Sequence, residues 1–453
     1  MTKRRILVVG GLAAGPSAAA KAARTNPKAE VVLFEATETV SYGICEAPYA
    51  IAGVIAEEET LVSYTPERLQ EEKGITVKTL QRVEQIVPSK NEVVVRDFRR
   101  GEHTTYAYDK LVLATGASPR KLGIEGEASR NVFHLGSRED TIHILKYLSS
   151  EKPSTAVIVG GGYIGMEMAE ALRLKGLDVT VIHRHRLPLA GLEQATRERI
   201  LDELTRNEVR FVSNAKVEGL HQAKDGRVRH VMTNRGTFDA DIVILSLGVQ
   251  PNIELTNSAS IRLGVTGAIS TDERQQTNVD GIYAAGDCCE VRNIVSGKPM
   301  YLPLASIASR AAWVAGENAA GGRATFKGAI RAIAVKVFGL EVAQVGLGSE
   351  EARAAGFEVV TSTITGSSKV GLMPESAKVT VSMIIDQRSK RLLGANLFGG
   401  NGAVLRANTL GVAIQQKLTI DEISRLDLIY APPFAPLWDP ILIAAHQAKK
   451  KLH

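Results

Sequence analysis

Cysteine is scarce in this chain. It occurs three times, as Cys45 and the adjacent pair Cys288 and Cys289, which is too few and wrongly spaced for a disulfide framework or a zinc site. A protein with so few thiols either buries them or uses them. Long apolar runs are missing as well, since none reaches the ~18–20 residues that a membrane span needs. The first residues lead straight into an apolar strand at residues 6–9, without a basic segment, secretory apolar core and cleavage site. A cytoplasmic location is therefore expected, with no membrane partner. Aromatic residues make up 5% of the chain, and no arginine block interleaved with them marks a nucleic-acid surface. The net charge of +6 is then a generally basic surface that attracts anions such as phosphorylated cofactors, and no nucleic acid is expected as a partner.

Glycine, by contrast, is plentiful. There are 41 glycines and 44% apolar residues in 453 positions, which suits a globular α/β protein of about three domains, rich in tight strand-to-helix turns. The one stretch that reads as disordered is the lysine-ended tail, residues 449–453.

The same grammar occurs twice. ILVVGGLAAGPSAAAKAAR is an apolar strand, a glycine turn and an alanine-rich helix, followed by a strand over residues 31–34 that ends in Glu35. TAVIVGGGYIGMEMAEALRLKG repeats the pattern, followed by a strand over residues 179–182. Each is a βαβ crossover of the dinucleotide-binding type, so the expected fold has two Rossmann-like dinucleotide-binding domains. A second shared phrase follows each unit, DKLVLATGASP at 109–119 and DIVILSLGVQPN at 241–252. Two such units in one chain argue for two different dinucleotides.

The glycines have separate tasks. Gly10 and Gly160 permit the tight turn out of the strand, Gly162 lets the backbone approach a pyrophosphate, and Gly15 and Gly165 allow helix to pack on strand. The pyrophosphate sits on free amides at the positive end of the helix. Leu12 occupies the middle glycine position of the first unit. Glu35 compensates, because a carboxylate there can accept hydrogen bonds from both ribose hydroxyls of an adenosine. The equivalent stretch of the second unit reads Ile182, His183, Arg184, His185, Arg186, with no acid. A cluster of potential cations suits a 2′-phosphate, so NADPH is favoured over NADH.

Cys45 lies in TVSYGICEAPYAIAG, directly after the first unit. It is expected to begin a helix that tolerates Pro48 in its first turn, where helix amides would lower the thiol pKa and make it nucleophilic.

Taken together, GGLAAG, SYGICEAPY, ATGASP, GGGYIGME, GVQPN, TNVDGIYAAGD and YAPPFAPLWDP make the chain resemble, over essentially its whole length, the pyridine nucleotide–disulfide oxidoreductases. More narrowly, it is similar to the single-cysteine branch that contains coenzyme A disulfide reductase, polysulfide and persulfide reductases, and NADH oxidase and peroxidase. The resemblance implies a glutathione-reductase-like α/β fold. Residues 1–116 and 251–328 would bind FAD, 117–250 would bind NAD(P)H, and an α+β domain at 329–453 would form a homodimer. Strands are expected at Ala332–Val337, 358–364, Lys378–Asp386 and 392–398, with a helix at 403–416.

The resemblance also implies site residues. Gly10, Gly11, Ala14, Gly15, Glu35, Thr115, Gly116 and Asp287 would hold FAD, with Asp287 on its ribityl chain. Gly160, Gly162, Tyr163, Gly165, Glu167, His183 and Arg184 would hold the nicotinamide cofactor, with Tyr163 covering the flavin and Glu167 meeting the nicotinamide amide. Lys21 and Arg24 match residues that meet the phosphates of coenzyme A, and Ser41 matches one beside the thiol. Tyr430 matches a tail tyrosine that reaches into the partner subunit's active site.

Departures from the branch narrow the chemistry. In the two-cysteine branch a second thiol lies five positions on, and here that position is Ala50. The oxidised state is then a mixed disulfide, persulfide or sulfenic acid on Cys45. Peroxide and oxygen reducers carry a histidine where this chain has Ala13, which favours a small-molecule sulfur substrate, with coenzyme A disulfide or persulfide the best named match. Glu46 after the cysteine, and Leu372 in place of a family tyrosine, open the site to smaller substrates such as polysulfide. Two alternatives stay open, an NAD(P)H oxidase or peroxidase working through a Cys45 sulfenic acid, and a flavoprotein that donates electrons to a protein partner. Cys288 and Cys289 are read as buried packing residues.

Overall fold

The short apolar runs of the two repeated units become the centres of two parallel five-stranded sheets in the computed structural model, which describes residues 4–452. Such strands are buried on both faces, which is why they read as unbroken apolar stretches. In the first sheet the order across is Ile282–Ala284, Lys110–Leu113, Arg5–Val9, Glu30–Phe34 and Ile75–Lys78. In the second it is Arg210–Val212, Asp178–Ile182, Thr155–Val159, Ile242–Leu245 and Val132–Phe133. The registers match: Val9 lies between Phe34 and Leu113, and Val159 between Ile182 and Leu245. Each glycine turn therefore leaves its sheet at the strand ends where the order reverses, the position at which such sheets bind ligands.

The repeat extends further than the motifs. A three-stranded antiparallel sheet precedes each shared phrase, Gln81–Val87 with Glu92–Asp97 and Glu102–Ala107 in the first half, and Val217–Gln222 with Val228–Thr233 and Gly236–Asp239 in the second. Beyond them the two phrases pair with each other, Ala117–Pro119 antiparallel to Val249–Pro251. Asn252 fastens this crossing: its side-chain amide donates to the Thr115 carbonyl at 2.8 Å, and its own carbonyl accepts the Thr115 hydroxyl at 2.7 Å.

The helix Ala14–Thr25 rests on Ala305–Ala319 through small residues, and a β-carbon on Gly316 would collide with the carbonyl of Ala18. The alanine richness of the first helix is thus a packing requirement.

The last part is a five-stranded antiparallel sheet in the order Ala332–Val337, Leu340–Gly346, Leu392–Gly399, Lys378–Asp386, Val359–Ser367. The helices Ala403–Gln415 and Pro440–Leu452 share its core. Two of the four expected strands coincide with the observed bounds, and the others differ by one to three residues at an end. The tail differs in kind: Lys449 to Leu452 are the last turn of a helix. Lys449 pairs with Asp421 at 2.6 Å and Lys451 donates to the Thr361 carbonyl at 3.0 Å, so the lysines sit at the helix end that favours cations. His453 and residues 1–3 lie outside the described residues. No described helix is long and apolar enough to cross a membrane.

Candidate active site

The two glycine turns have one design. Gly10 has φ +110° and Gly160 φ +118°, and a β-carbon would collide with the carbonyl of Ala114 in one case and Ser246 in the other. The next amide is held from the end of the second strand of each unit. Gly11 N–H donates to Glu35 Oε2 at 2.6 Å, and Gly161 N–H donates to His183 Nδ1 at 3.0 Å. Glu35 Oε1 accepts from the amide and hydroxyl of Thr37 at 2.8 and 2.9 Å. A carboxylate has about four acceptor sites, so capacity is left for ribose hydroxyls.

Both turns suit a dinucleotide. Around Gly162 a β-carbon would meet nothing within 4 Å, leaving the backbone approachable. Leu12 at the matching place is 39% exposed and does not fill its turn. Gly286 brings the next strand end against Ala14, and Asp287 follows. Burial alone pushes the Asp287 carboxyl up to about 6, with no cation opposing it, as fits a carboxylate that waits for hydroxyl donors from a ligand. These residues fit FAD on the first unit.

The sequence reading of residues 183–186 as potential cations needs correction at one position. His183 is neutral: burial, followed by His185, Arg184 and Arg197, pushes its imidazole down to about 4. Arg186 remains a cation, with Glu198 3.3 Å from it on the surface. Arg184 stays exposed and donates to His185.

Cys45 is free and exposed. It lies in a 3-10 turn, Ile44–Glu46, that runs into the helix Ala47–Ala52 with Pro48 in its first turn, as expected. That helix packs through Ala47 and Ile51 against Met166 and Met168 of the helix Tyr163–Leu174, which brings the thiol to the second dinucleotide unit. Glu167 and Asp287 both act on the sulfur, so residues more than a hundred positions away in sequence converge on it. A buried Glu170 holds the same helix to the third domain through Lys336 and the Phe338 amide.

The surroundings reverse the expected effect on the thiol. Although the residue is open to solvent on one side, the protein packed around the sulfur strips water from a thiolate and pushes the Cys45 pKa up, and Glu46, Glu167 and Asp287 add to it. Glu167 is itself raised to about 7, by burial and then by Glu170. The Glu46 carboxylate folds back over Gly43, close enough to oppose a thiolate. Glu46→Gln is expected to lower the Cys45 pKa and to speed alkylation by iodoacetamide several-fold at pH 7. The measurement is the alkylation rate from pH 6 to 10, and an unshifted profile would exclude Glu46 as a cause.

Ser41 has φ +54°, donates its amide to the Gly11 carbonyl at 2.8 Å, and has a buried hydroxyl without a partner. It therefore joins the thiol segment to the first glycine turn. Tyr163 is raised to about 12, mainly by burial. Lys21 pairs with Glu317 at 2.7 Å and lies 5.8 Å from the Trp313 ring centre, with Arg24 at 5.7 Å from the same ring. Trp313, half exposed, is absent from the sequence-derived set because nothing local marks it. Tyr430 lies on an exposed tail together with Ile429, Phe434, Leu437 and Trp438. Cys288 and Cys289 are buried, 0% and 3% exposed, with their sulfurs 3.7 Å apart and unbonded, as expected of packing residues.

The comparisons with known proteins agree with this geometry. The pyridine nucleotide-disulphide oxidoreductase family matches residues 4–312, and its dimerisation domain matches residues 333–440. The NAD(P)H coenzyme A polysulfide/persulfide reductase of Pyrococcus horikoshii is 35% identical over 449 residues, 99% of each chain. The NADH oxidase of Methanocaldococcus jannaschii is 30% identical over 99% of each chain. A solved NAD-dependent persulfide reductase from A. fulgidus superposes with a TM-score of 0.95 at 34% identity, covering 99% of this chain and 83% of that one. With its thiol free and the match running from end to end, the chain belongs to the pyridine nucleotide-disulphide oxidoreductase family, as an FAD-dependent, single-cysteine relative of the coenzyme A disulfide reductases, persulfide reductases and NADH oxidases.

Proposed function

We propose that the chain is an NAD(P)H-dependent flavoprotein reductase of low-molecular-weight disulfides, persulfides or polysulfide, acting through Cys45, with coenzyme A disulfide or persulfide as the substrate that fits best. The carrying observation is the lone exposed thiol between two dinucleotide turns. Residues 1–116 and 251–328 are assigned to FAD, 117–250 to the nicotinamide cofactor, with NADPH preferred, and 329–453 to the dimer contact. The cytoplasm, where thiols stay reduced, suits such an enzyme.

Each residue then has a task. Gly160, Gly162 and Gly165 receive the nicotinamide dinucleotide at the helix end, Glu167 takes the carboxamide, and Tyr163 yields its place to the ring. Gly10, Gly11, Ala14, Gly15, Glu35, Thr115, Gly116 and Asp287 hold FAD, which when bound passes an electron pair between nicotinamide and sulfur. The Cys45 thiolate attacks the substrate S–S bond. A new S–S bond to Cys45 forms as the old one breaks, and one thiolate leaves. Tyr430 of the partner subunit supplies that leaving group with a proton, and Ser41 orients the attacking sulfur. Lys21 and Arg24 attract the phosphates of a coenzyme A substrate, with Trp313 offering a face beside them.

The name of the Methanocaldococcus jannaschii relative keeps an oxidase reading in view. Ala13 argues against it, because no imidazole stands there to handle protons. The test is anaerobic reduction of the enzyme with one equivalent of NADPH, followed by rapid mixing with coenzyme A disulfide, polysulfide, hydrogen peroxide or oxygen. Sulfur substrates are expected to reoxidise the flavin at least about tenfold faster. Faster reoxidation by oxygen or peroxide would replace the reductase by the oxidase.

A further inference from the structure

Away from the thiol, a cleft of about 540 Å³ opens between the helix Gln194–Arg206 and the sheet of the third domain. Its charges do not balance. Arg199 and Arg206 come from the helix, Lys378 from the start of the strand Lys378–Asp386, and Glu203 is the one carboxylate among the lining residues. Three cations against one anion leave an excess of two.

Both oxygens of Glu203 are engaged within the protein. Oε2 accepts from Arg199 at 3.1 Å and lies 3.5 Å from Arg206, while Oε1 accepts from the Gly339 amide at 3.3 Å and from Asn207 at 3.4 Å. The residue is buried and ties the helix to the turn at Gly339. The guanidinium of Arg199 is only partly used. Its Nη2 donates to Glu203, whereas Nη1 is buried and has no hydrogen-bond partner among the described residues. A buried donor without a partner costs free energy, and the guanidinium fork matches the oxygens of a phosphoryl group. Arg206 and Lys378 stand exposed beside it. The rest of the lining is apolar or bare backbone. Leu340 and Phe398 belong to the core shared with the second dinucleotide unit, which fixes the floor. Gly339, Gly399 and Gly400 form the edge, and a β-carbon on Gly399 would collide with the Lys378 carbonyl.

We propose that this cleft binds a small phosphate monoester, with the phosphoryl group on Arg199, Arg206 and Lys378 and the organic part against Phe398. A phosphate monoester carries close to two negative charges at neutral pH, which equals the excess of positive charge in the cleft. A carboxylate or a phosphate diester would leave one cation unmatched. The volume falls in the range of small-molecule sites, about 300–1,000 Å³. None of these residues belongs to the glycine turns or to the thiol segment, so the inference goes beyond the proposed function and does not depend on it. An occupant held from both sides would also tie the second dinucleotide unit to the third domain.

The experiment is isothermal titration of the FAD-loaded enzyme with phenyl phosphate, with NADP⁺ present to fill the second glycine turn. Saturable binding is expected, with Kd at or below about 1 mM. In the double variant Arg206→Gln, Lys378→Gln the affinity should fall by at least about tenfold, because two of the three cations are gone. Both side chains are exposed, so the variant is expected to fold, and a flavin content equal to that of the wild type checks this. Inorganic phosphate separates the two sources of the group. It should bind the wild type at least about threefold more weakly than the ester, since it has no organic part to set on Phe398. Absence of saturable binding up to about 10 mM phenyl phosphate, equal affinity in wild type and variant, or inorganic phosphate binding as tightly as the ester would each overturn the proposal. Because this titration does not report on Cys45, such a failure would leave the sulfur reductase reading standing.

Discussion

Replacing Cys45 by serine is expected to abolish turnover of coenzyme A disulfide, persulfides and polysulfide, by at least about a thousandfold in kcat, while the protein stays folded and yellow. The side chain is exposed and free, and the change from sulfur to oxygen alters little volume, so no stability loss is expected. The glycine turns, Glu35 and Asp287 are untouched, and bleaching by NADPH should persist within about twofold because hydride delivery needs none of the thiol chemistry. A hydroxyl is far weaker as a nucleophile than a thiolate and cannot hold the oxidised sulfur of the proposed cycle. The measurement pairs steady-state turnover with anaerobic flavin bleaching in the same sample. Undiminished disulfide turnover in the serine variant would dispose of the Cys45 mechanism, and undiminished reduction of a protein acceptor would turn attention to an electron-donor role.

That prediction depends on features legible in the sequence for a physical reason. Parallel strands buried on both faces write themselves as runs such as ILVV and AVIV, and the turns that follow admit glycine alone at φ above +100°. The antiparallel strands Ala332–Val337 and Lys378–Asp386 were equally plain, being apolar stretches between turn residues. What escaped was set by distance or by environment. The three-stranded sheets at 81–107 and 217–239 consist of short, partly exposed strands, whose weak patterns carry little signal. Trp313 meets Lys21 and Arg24 only through the packing of two helices far apart in sequence.

The electrostatic expectations failed where burial decides charge. A histidine between isoleucine and arginine reads as a cation, yet His183 is held neutral by its setting. A cysteine at a helix start reads as a thiolate, yet Glu46, Glu167 and Asp287 all oppose the charge on Cys45, two of them from elements distant in sequence. Among the causes acting on the thiol no cation appears. The side chains of one protomer therefore oppose a thiolate on Cys45 and do not favour it. The lysine tail was misread for a related reason, since its charges are stabilised by the helix end and by Asp421.

Tyr430→Phe is expected to lower kcat for disulfides by about a hundredfold, the range for a removed proton donor, with KM changed less. The variant alone does not say which subunit the tyrosine serves, but mixed dimers do. Tyr430 stands on an exposed tail beside apolar residues of the domain that matches the family's dimerisation domain, so the proposed arrangement pairs the Cys45 of one protomer with the tail of the other. A heterodimer of Cys45→Ser and Tyr430→Phe subunits, purified through two different tags, would then contain one site with both groups intact and one with neither. It should show about half the wild-type activity per dimer, although each parent homodimer is nearly inactive. If the tyrosine served its own subunit, every site in the heterodimer would lack one group and activity would stay at the level of the parents. A defect of folding in either variant would show in its flavin content, which should equal that of the wild type, and recovery of half activity cannot arise from two misfolded subunits.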